Sequence, residues 1–362
     1  MRSRALWIAC LLVACGGSHE RRAAAPTTET TSDPTPYDVH EWGLLRAAPG
    51  DALDLGGVPA ATARIPLAVE KPVLYFHAEH AGTLRSVSVD IHGGSIVETW
   101  PLAGGGVASH VTWEHVVLEP GAHCAVTVPT ASDAPCSRLA PGEHCEAADL
   151  AIVRTNGATC LHVGGASDTL LFYRARATAF TPPLTFERTS DRDDVRVTND
   201  GERPIPGLLV RLRESYGNVA AIIAQPPAPH ESIVVGHDFA APTETPPAPA
   251  EEDSEEAMPR IGSPAPGRDA IQTTMRELGM DEDEVAAFLR AWDSALFALA
   301  APSEHATERA TEHAPPPTES FVYFLPEASC DEITTVALDP PPRALRRAFA
   351  IWTPIPDVGP SH

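Results

Sequence analysis

The sequence predicts a mainly β fold: a β-sandwich-like body, one large or two stacked sandwiches, with a small α-helical pair inserted near the C-terminus. Three observations predict it. From Tyr37 to about Asp238 the chain runs in short stretches of alternating apolar and polar residues, punctuated by Gly, Pro, Asn and Asp. No helical period falls between those stretches, so the βαβ crossovers of a nucleotide-binding sheet are not expected. A helical period then appears late, where Val285, Phe288, Leu289, Trp292, Leu296 and Leu299 recur on one face.

The elements follow in order. Leu74, Phe76 and Ala78 alternate with Tyr75, His77 and Glu79. Arg85, Val87, Val89 and Ile91 alternate with Ser86, Ser88, Asp90 and His92. Gly93-Gly94 then predicts a hairpin turn into a strand over 95–100. Further strands are predicted near 107–118, 150–154, 170–175, 184–188, 195–199, 208–213, 220–224 and 232–235. Residues 239–267 are acidic and proline-rich and read as a solvated insertion. The helical pair occupies 268–300, with Asp269 as cap of a first helix ending at Gly279 and Asp281 with Glu284 as the capping box of a second. The apolar stripe of that second helix is core contact with a sheet. Residues 301–318 are a low-complexity linker containing His305 and His313, and 319–356 supply closing strands that pack on the β body.

The N-terminus sets the address. Arg2 and Arg4 precede an apolar run over 5–14, too short for the ~20 residues of a spanning helix. Leu12-Val13-Ala14-Cys15 resembles the lipobox of bacterial lipoproteins. That resemblance implies that 1–14 is a signal peptide, that Cys15 is acylated, and that the chain is held to the membrane by lipid. Gly16, rather than Asp, follows the cysteine. The sorting pattern this resembles implies the outer membrane of a Gram-negative cell envelope. Residues 15–36 read as a disordered tether.

Charge narrows the partners. The chain of 362 residues carries a formal charge of -23. Loss of Arg2 and Arg4 leaves 24 basic against 49 acidic residues, or -25. Such a chain is repelled by phosphate backbones, so nucleic acid is not an expected partner. An envelope protein or a glycan is. Lys71 is the only lysine, and it stands in Lys71-Pro72-Val73-Leu74-Tyr75-Phe76. An exported chain permits disulfides, and Cys124, Cys136, Cys145 and Cys160 are the candidates, with three possible pairings. Cys330 is either free or paired with one of them. Histidines precede Cys124 and Cys145 directly (His123 and His144) and follow Cys160 by two residues (His162), but the spacing lacks the tight pairs of a thiolate zinc site.

No standard catalytic motif is present: no Gly-x-Ser-x-Gly, no His-Glu-x-x-His, no phosphate-cradling loop and no EF-hand loop. No motif calls for a cofactor or a metal. What remains is a scatter of polar residues, His40, Glu41, Lys71, His77, Glu79 and His92. If His40, His77, Glu79 and His92 share one sheet surface, they suit a metal or acid/base site. If they do not, they are structural hydrogen-bonding groups or face water. Trp42, Trp100, Trp113 and Tyr75 read as core packing, with a sugar-binding platform as the alternative.

The segment Val39-His40-Glu41-Trp42-Gly43 resembles the N-terminal signature His-Glu-Trp-Gly-Thr-Phe of a family of uncharacterised exported bacterial proteins, with Leu44-Leu45 in place of Thr-Phe. The likeness continues through Lys71-Pro72-Val73-Leu74-Tyr75-Phe76, Glu98-Thr99-Trp100-Pro101, Leu171-Phe172-Tyr173-Arg174 and Ala291-Trp292-Asp293-Ser294. That family has no established activity, so the resemblance carries over no catalytic residues. The expectation is a lipid-anchored envelope protein acting as a binding or structural module rather than an enzyme. The alternative is a metal-assisted hydrolase built on the histidine and carboxylate residues of the β body.

Overall fold

The computed structural model describes residues 36–47, 65–103, 108–121, 123–129, 145–189, 194–215, 218–236, 263–297 and 319–355. They form a mainly β protein in layers. The largest sheet has eight strands. In spatial order they are β12 (Asn218–Ala224), β11 (Leu209–Ser215), β14 (Glu319–Phe324), β16 (Ala344–Pro354), β1 (Tyr37–Ala47), β2 (Ile65–Ala78), β8 (Leu171–Phe180) and β4 (Gly94–Trp100). A five-stranded sheet follows the order β15 (Thr334–Asp339), β3 (Gly82–Ile91), β5 (His110–Glu119), β6 (Cys160–Val163) and β7 (Ala166–Asp168). A three-stranded sheet joins β13 (Ser232–Val235), β10 (Val195–Asn199) and β9 (Leu184–Arg188).

The large sheet is buried on both faces. One face sends Val39, Leu45, Leu74, Phe76, Tyr173 and Phe321 into a core shared with the two smaller sheets. The other sends Trp42, Leu44, Val73, Tyr75, Phe324 and Ala348 into a second core under the helical pair. That pair is α1 (Ala265–Glu277) and α2 (Glu282–Phe297). Strands covered on both sides read as nearly continuous apolar runs, which is why β2 and β14 lack clean alternation. The strands expected to close the body stand inside this sheet. β16 lies between β14 and β1, and it pairs with β1 in parallel, Asp38 opposite Ala344 through Arg46 opposite Trp352.

Three local expectations are corrected. The hairpin at Gly93-Gly94 does not form, because β3 pairs with β15 and β5 while β4 pairs with β8 in the other sheet. The turn is a corner between sheets. Gly94 is required there, since a Cβ would fall 2.2 Å from the Arg176 carbonyl oxygen. The strand expected at 150–154 is instead a 3-10 helix, Glu146–Ile152. Its N-terminal amide at Ala147 is capped by Glu98 Oε1 at 2.6 Å, so a carboxylate from β4 satisfies a donor the turn leaves open. Asp269 lies inside α1 rather than capping it, because the helix begins at Ala265 with Pro266 in its first turn, where a fixed φ is suited and no amide partner is lost.

Two polar residues of the scatter are structural. Glu41 is fully buried on the face opposite His40, where its carboxylate takes a 2.6 Å bond from Arg347 Nε and a 2.8 Å bond from the Tyr173 hydroxyl. Arg347 also donates to Asp331, to the Thr334 carbonyl and to the Thr334 hydroxyl. Lys71 sits at φ 46 in a bulge of β2. Its ammonium lies 3.5 Å from Glu146 Oε2 and 4.9 Å above the Trp292 ring, tying sheet, 3-10 helix and α2 together.

Truncating one partner of the Glu41–Arg347 pair strands a buried charge. Arg347→Ala is expected to destabilise by about 3–5 kcal/mol, whereas the double substitution Glu41→Leu with Arg347→Met costs clearly less. Urea unfolding of the single and double variants checks both values.

Candidate metal centre

The site is assembled where α1 turns into α2. Helix α1 ends in a Schellman turn: Gly279 at φ +86 donates to the Arg276 carbonyl at 2.9 Å, and Met280 donates to the Met275 carbonyl at 3.0 Å. The left-handed conformation falls on a glycine, which has no Cβ to oppose it. Asp281 then starts α2. The Glu284 side chain reaches back to the Asp281 amide at 2.8 Å, forming the carboxylate half of the expected capping box. Glu284 and Phe288 lie one turn apart on the same helix face. Phe288 packs edge-on against Trp42 with ring centroids 5.4 Å apart, so docking of α2 drives Glu284 down onto the sheet.

The sheet presents two imidazoles to it. In the β1–β2 register His40 faces Tyr75 and Asp38 faces His77, which makes His40 and His77 diagonal neighbours on the helix-covered face. Their ring centroids are 4.4 Å apart. Glu284 Oε2 lies 2.8 Å from His40 Nδ1, and Oε1 lies 2.9 Å from His77 Nε2. Asp281 Oδ2 is 3.6 Å from His77 Nδ1. One potential ligand atom from each of His40, His77, Asp281 and Glu284 falls within 4.8 Å of all the others. Glu284 is 1 % exposed and His40 8 %, while the Asp281 side chain is 59 % exposed, so the centre opens to solvent on one side.

The electrostatics favour a charged Glu284. Burial works against its ionisation, but the hydrogen bonds from His40 and His77 outweigh burial and hold its carboxyl below the ordinary carboxylate range. Burial likewise opposes a charged His77. The bond to Glu284, with the carboxylates of Glu284, Asp281 and Asp38, outweighs it and raises the imidazole above its usual value. Asp38 is held down chiefly by its bidentate bond to Arg343.

The structure thus unites His40 and His77 and separates them from the rest of the scatter. Glu79 is exposed and lies 3.9 Å from Arg343, not in the centre. His92 sits at the corner after β3 and meets the Thr335 hydroxyl at 3.0 Å in the five-stranded sheet. Glu41 and Lys71 belong to the networks described above. Asp281 and Glu284 complete the centre in their place. Their sequence signal, the capping box, announced a helix start and gave no hint that the cap would face two histidines.

The remaining candidates resolve as follows. Trp42, Trp113 and Tyr75 are fully buried and Trp100 is 5 % exposed, so no sugar platform forms. Cys124 and Cys160 are joined in a disulfide, Cys145 is a disulfide cysteine, and Cys330 is free and buried, its thiol pushed up to about 12 by burial. Cys15, Cys136, His144, Leu299, His305 and His313 lie outside the described residues. No protein-family model, curated protein or solved structure matches the chain, so the chemistry of the site is argued from its geometry.

The shifts fix a pH window for chelator-treated protein. Glu284, lowered in the fold, contributes stability above the ordinary carboxylate value of about 4.3, and loses it as pH falls through its lower folded value. His77, raised in the fold, contributes below about 6.5 and loses it as pH rises through its higher folded value. Glu284→Gln is therefore expected to cost most between about pH 4.5 and 6.5 and less on either side, read from unfolding midpoints across pH.

Proposed function

We propose that this chain is an exported, lipid-tethered module of the cell envelope whose His40–His77–Asp281–Glu284 centre binds a divalent transition-metal ion, zinc above all. The observation that carries the reading is the convergence of four nitrogen and oxygen donors within 4.8 Å. Two imidazoles with carboxylates form a donor set suited to zinc, and all become better ligands as they lose protons. Asp281 is the most exposed of the four, so it is the member free to swing onto an ion or away from it. The burial of His40 and Glu284 favours retention of an ion over turnover of a substrate, hence a binding module rather than the hydrolase. The tether rests on the lipobox-like sequence before Cys15 and on the acidic balance of the chain, which leaves lipid as the means of attachment. Among the described residues, no helix is long and apolar enough to cross a membrane.

Calorimetric titration of chelator-stripped protein with zinc is expected to give one site per chain. His77→Ala and Glu284→Ala should each weaken it by about 10²-fold, as the loss of a ligand or its orienting partner does. Failure of the unaltered chain to take up zinc, cobalt or nickel would leave the cluster as a hydrogen-bonded latch between α2 and the sheet. For the tether, Cys15→Ser is expected to release the protein from membranes into the soluble fraction, followed by fractionation and by incorporation of labelled fatty acid.

A further inference from the structure

A second constellation lies on the outward face of the five-stranded sheet. Gly164 and Gly165, at φ 60 and 84, form the two-residue turn that joins β6 to β7. Across that hairpin His162 pairs with Ser167, so the two side chains share a face. His162 also pairs with Val117, which places Glu119 two residues along β5 on that same face. Ser167 Oγ lies 2.8 Å from His162 Nδ1, and Glu119 Oε2 lies 2.7 Å from His162 Nε2. An ionised carboxylate only accepts, so Nε2 carries the ring hydrogen. In the neutral ring the lone pair is then at Nδ1, where it accepts the Ser167 hydroxyl hydrogen.

Ser167 is firmly held. Its amide donates to Thr127 Oγ1 at 3.1 Å, and its carbonyl accepts from the Thr127 amide at 2.8 Å. The Cys124–Cys160 disulfide fastens that segment to β6. The next residue, Asp168, is fully buried and takes bonds from the Trp100 indole and the Arg154 guanidinium. His162 and Ser167 line a cavity of about 560 Å³, together with Leu102 and the Gly164-Gly165 turn. That volume suits a small organic ligand. Gly164 and Gly165 line the cavity beside Ser167, so the backbone of the turn borders it.

From this placement we infer that Ser167, His162 and Glu119 form a nucleophilic acyl-transfer centre for small carboxylic esters, separate from the His40–His77 centre. Ser167 Oγ attacks the carbonyl carbon as its proton passes to His162 Nδ1. The carbon–oxygen bond to the leaving alcohol breaks, and His162 returns that proton to the alkoxide. Water then attacks the acyl-serine, gives its proton through His162 to Ser167 Oγ, and the carboxylic acid leaves. Glu119 acts through the ring as a positioning residue, holding the tautomer and offsetting the imidazolium charge.

The test uses the processed chain with a chelator present, so that the metal reading cannot influence the result. A fluorophosphonate probe forms a phosphorus–oxygen bond to an activated serine as fluoride leaves. One adduct is expected, mapped to Ser167 by peptide mass, together with hydrolysis of 4-nitrophenyl acetate. Ser167→Ala should abolish both, and His162→Gln should slow both by about 10²-fold. Glu119→Gln should slow both and Glu119→Asp should restore part of the rate, a pattern that a cross-strand ladder without chemistry would not show. Circular dichroism unchanged across the set establishes that each variant folds. No adduct on the unaltered chain, an adduct that survives Ser167→Ala, or equal rates for all variants would overturn the inference.

Discussion

A sheet buried on both faces imposes the constraint from which the rest of this structure follows. A charged side chain that its inner strands send into either core leaves water on folding, and burial without a partner is costly. His40 and Glu41 are adjacent in sequence, yet strand parity sends them to opposite cores. Glu41 meets Arg347 and Tyr173 beneath the smaller sheets, while His40 meets Glu284 beneath the helical pair. One dipeptide thus anchors two layers to the central sheet. The Arg347 partner is available only because the parallel β1–β16 pairing brings the end of the chain beside its beginning.

The same constraint explains why the centre under α2 has its composition. A helix packed on a sheet buries a stripe, and Glu284 continues the stripe of Val285, Phe288 and Trp292 toward the helix start. A carboxylate there is costly unless bonded, and three donors meet it: the Asp281 amide, His40 and His77. Capping of the helix and assembly of the site are therefore one event. Lys71 follows similar logic a few residues away, where a bulge at positive φ brings a lone ammonium to Glu146 and the Trp292 ring. The outward face of the five-stranded sheet has water for a partner. Its polar residues are free to form ladders such as Glu119–His162–Ser167.

Much of this was legible residue by residue. The strands at 184–188, 195–199 and 232–235 coincide with their expected ranges, and the stripe of α2 packs as its period required. The failures share a cause. The Gly93-Gly94 turn carries the local chemistry of a hairpin, and only competition from β8 and β15 for its two strands makes it a corner. The segment 150–154 has strand-like composition, but Glu98 offers its neighbour a helix cap that no local pattern reveals. For the metal centre, the sequence grouped His40 and His77 with Glu79 and His92, and only the β1–β2 register sets the first two side by side. Glu284 lies 244 residues from His40, and nothing in a capping box specifies what it will face.

By itself, then, the sequence determined the mainly β class, the alternation that divides each strand between two environments, and the late amphipathic helix. Those properties depend on neighbours a few residues apart, where backbone geometry sets the period. The tertiary structure decided which sheet each strand joins, that the C-terminal strands lie between β1 and β11, and that a helix cap closes over two histidines. Those outcomes depend on long-range pairings, whose free energy comes from burying surfaces that meet only once the whole chain has folded.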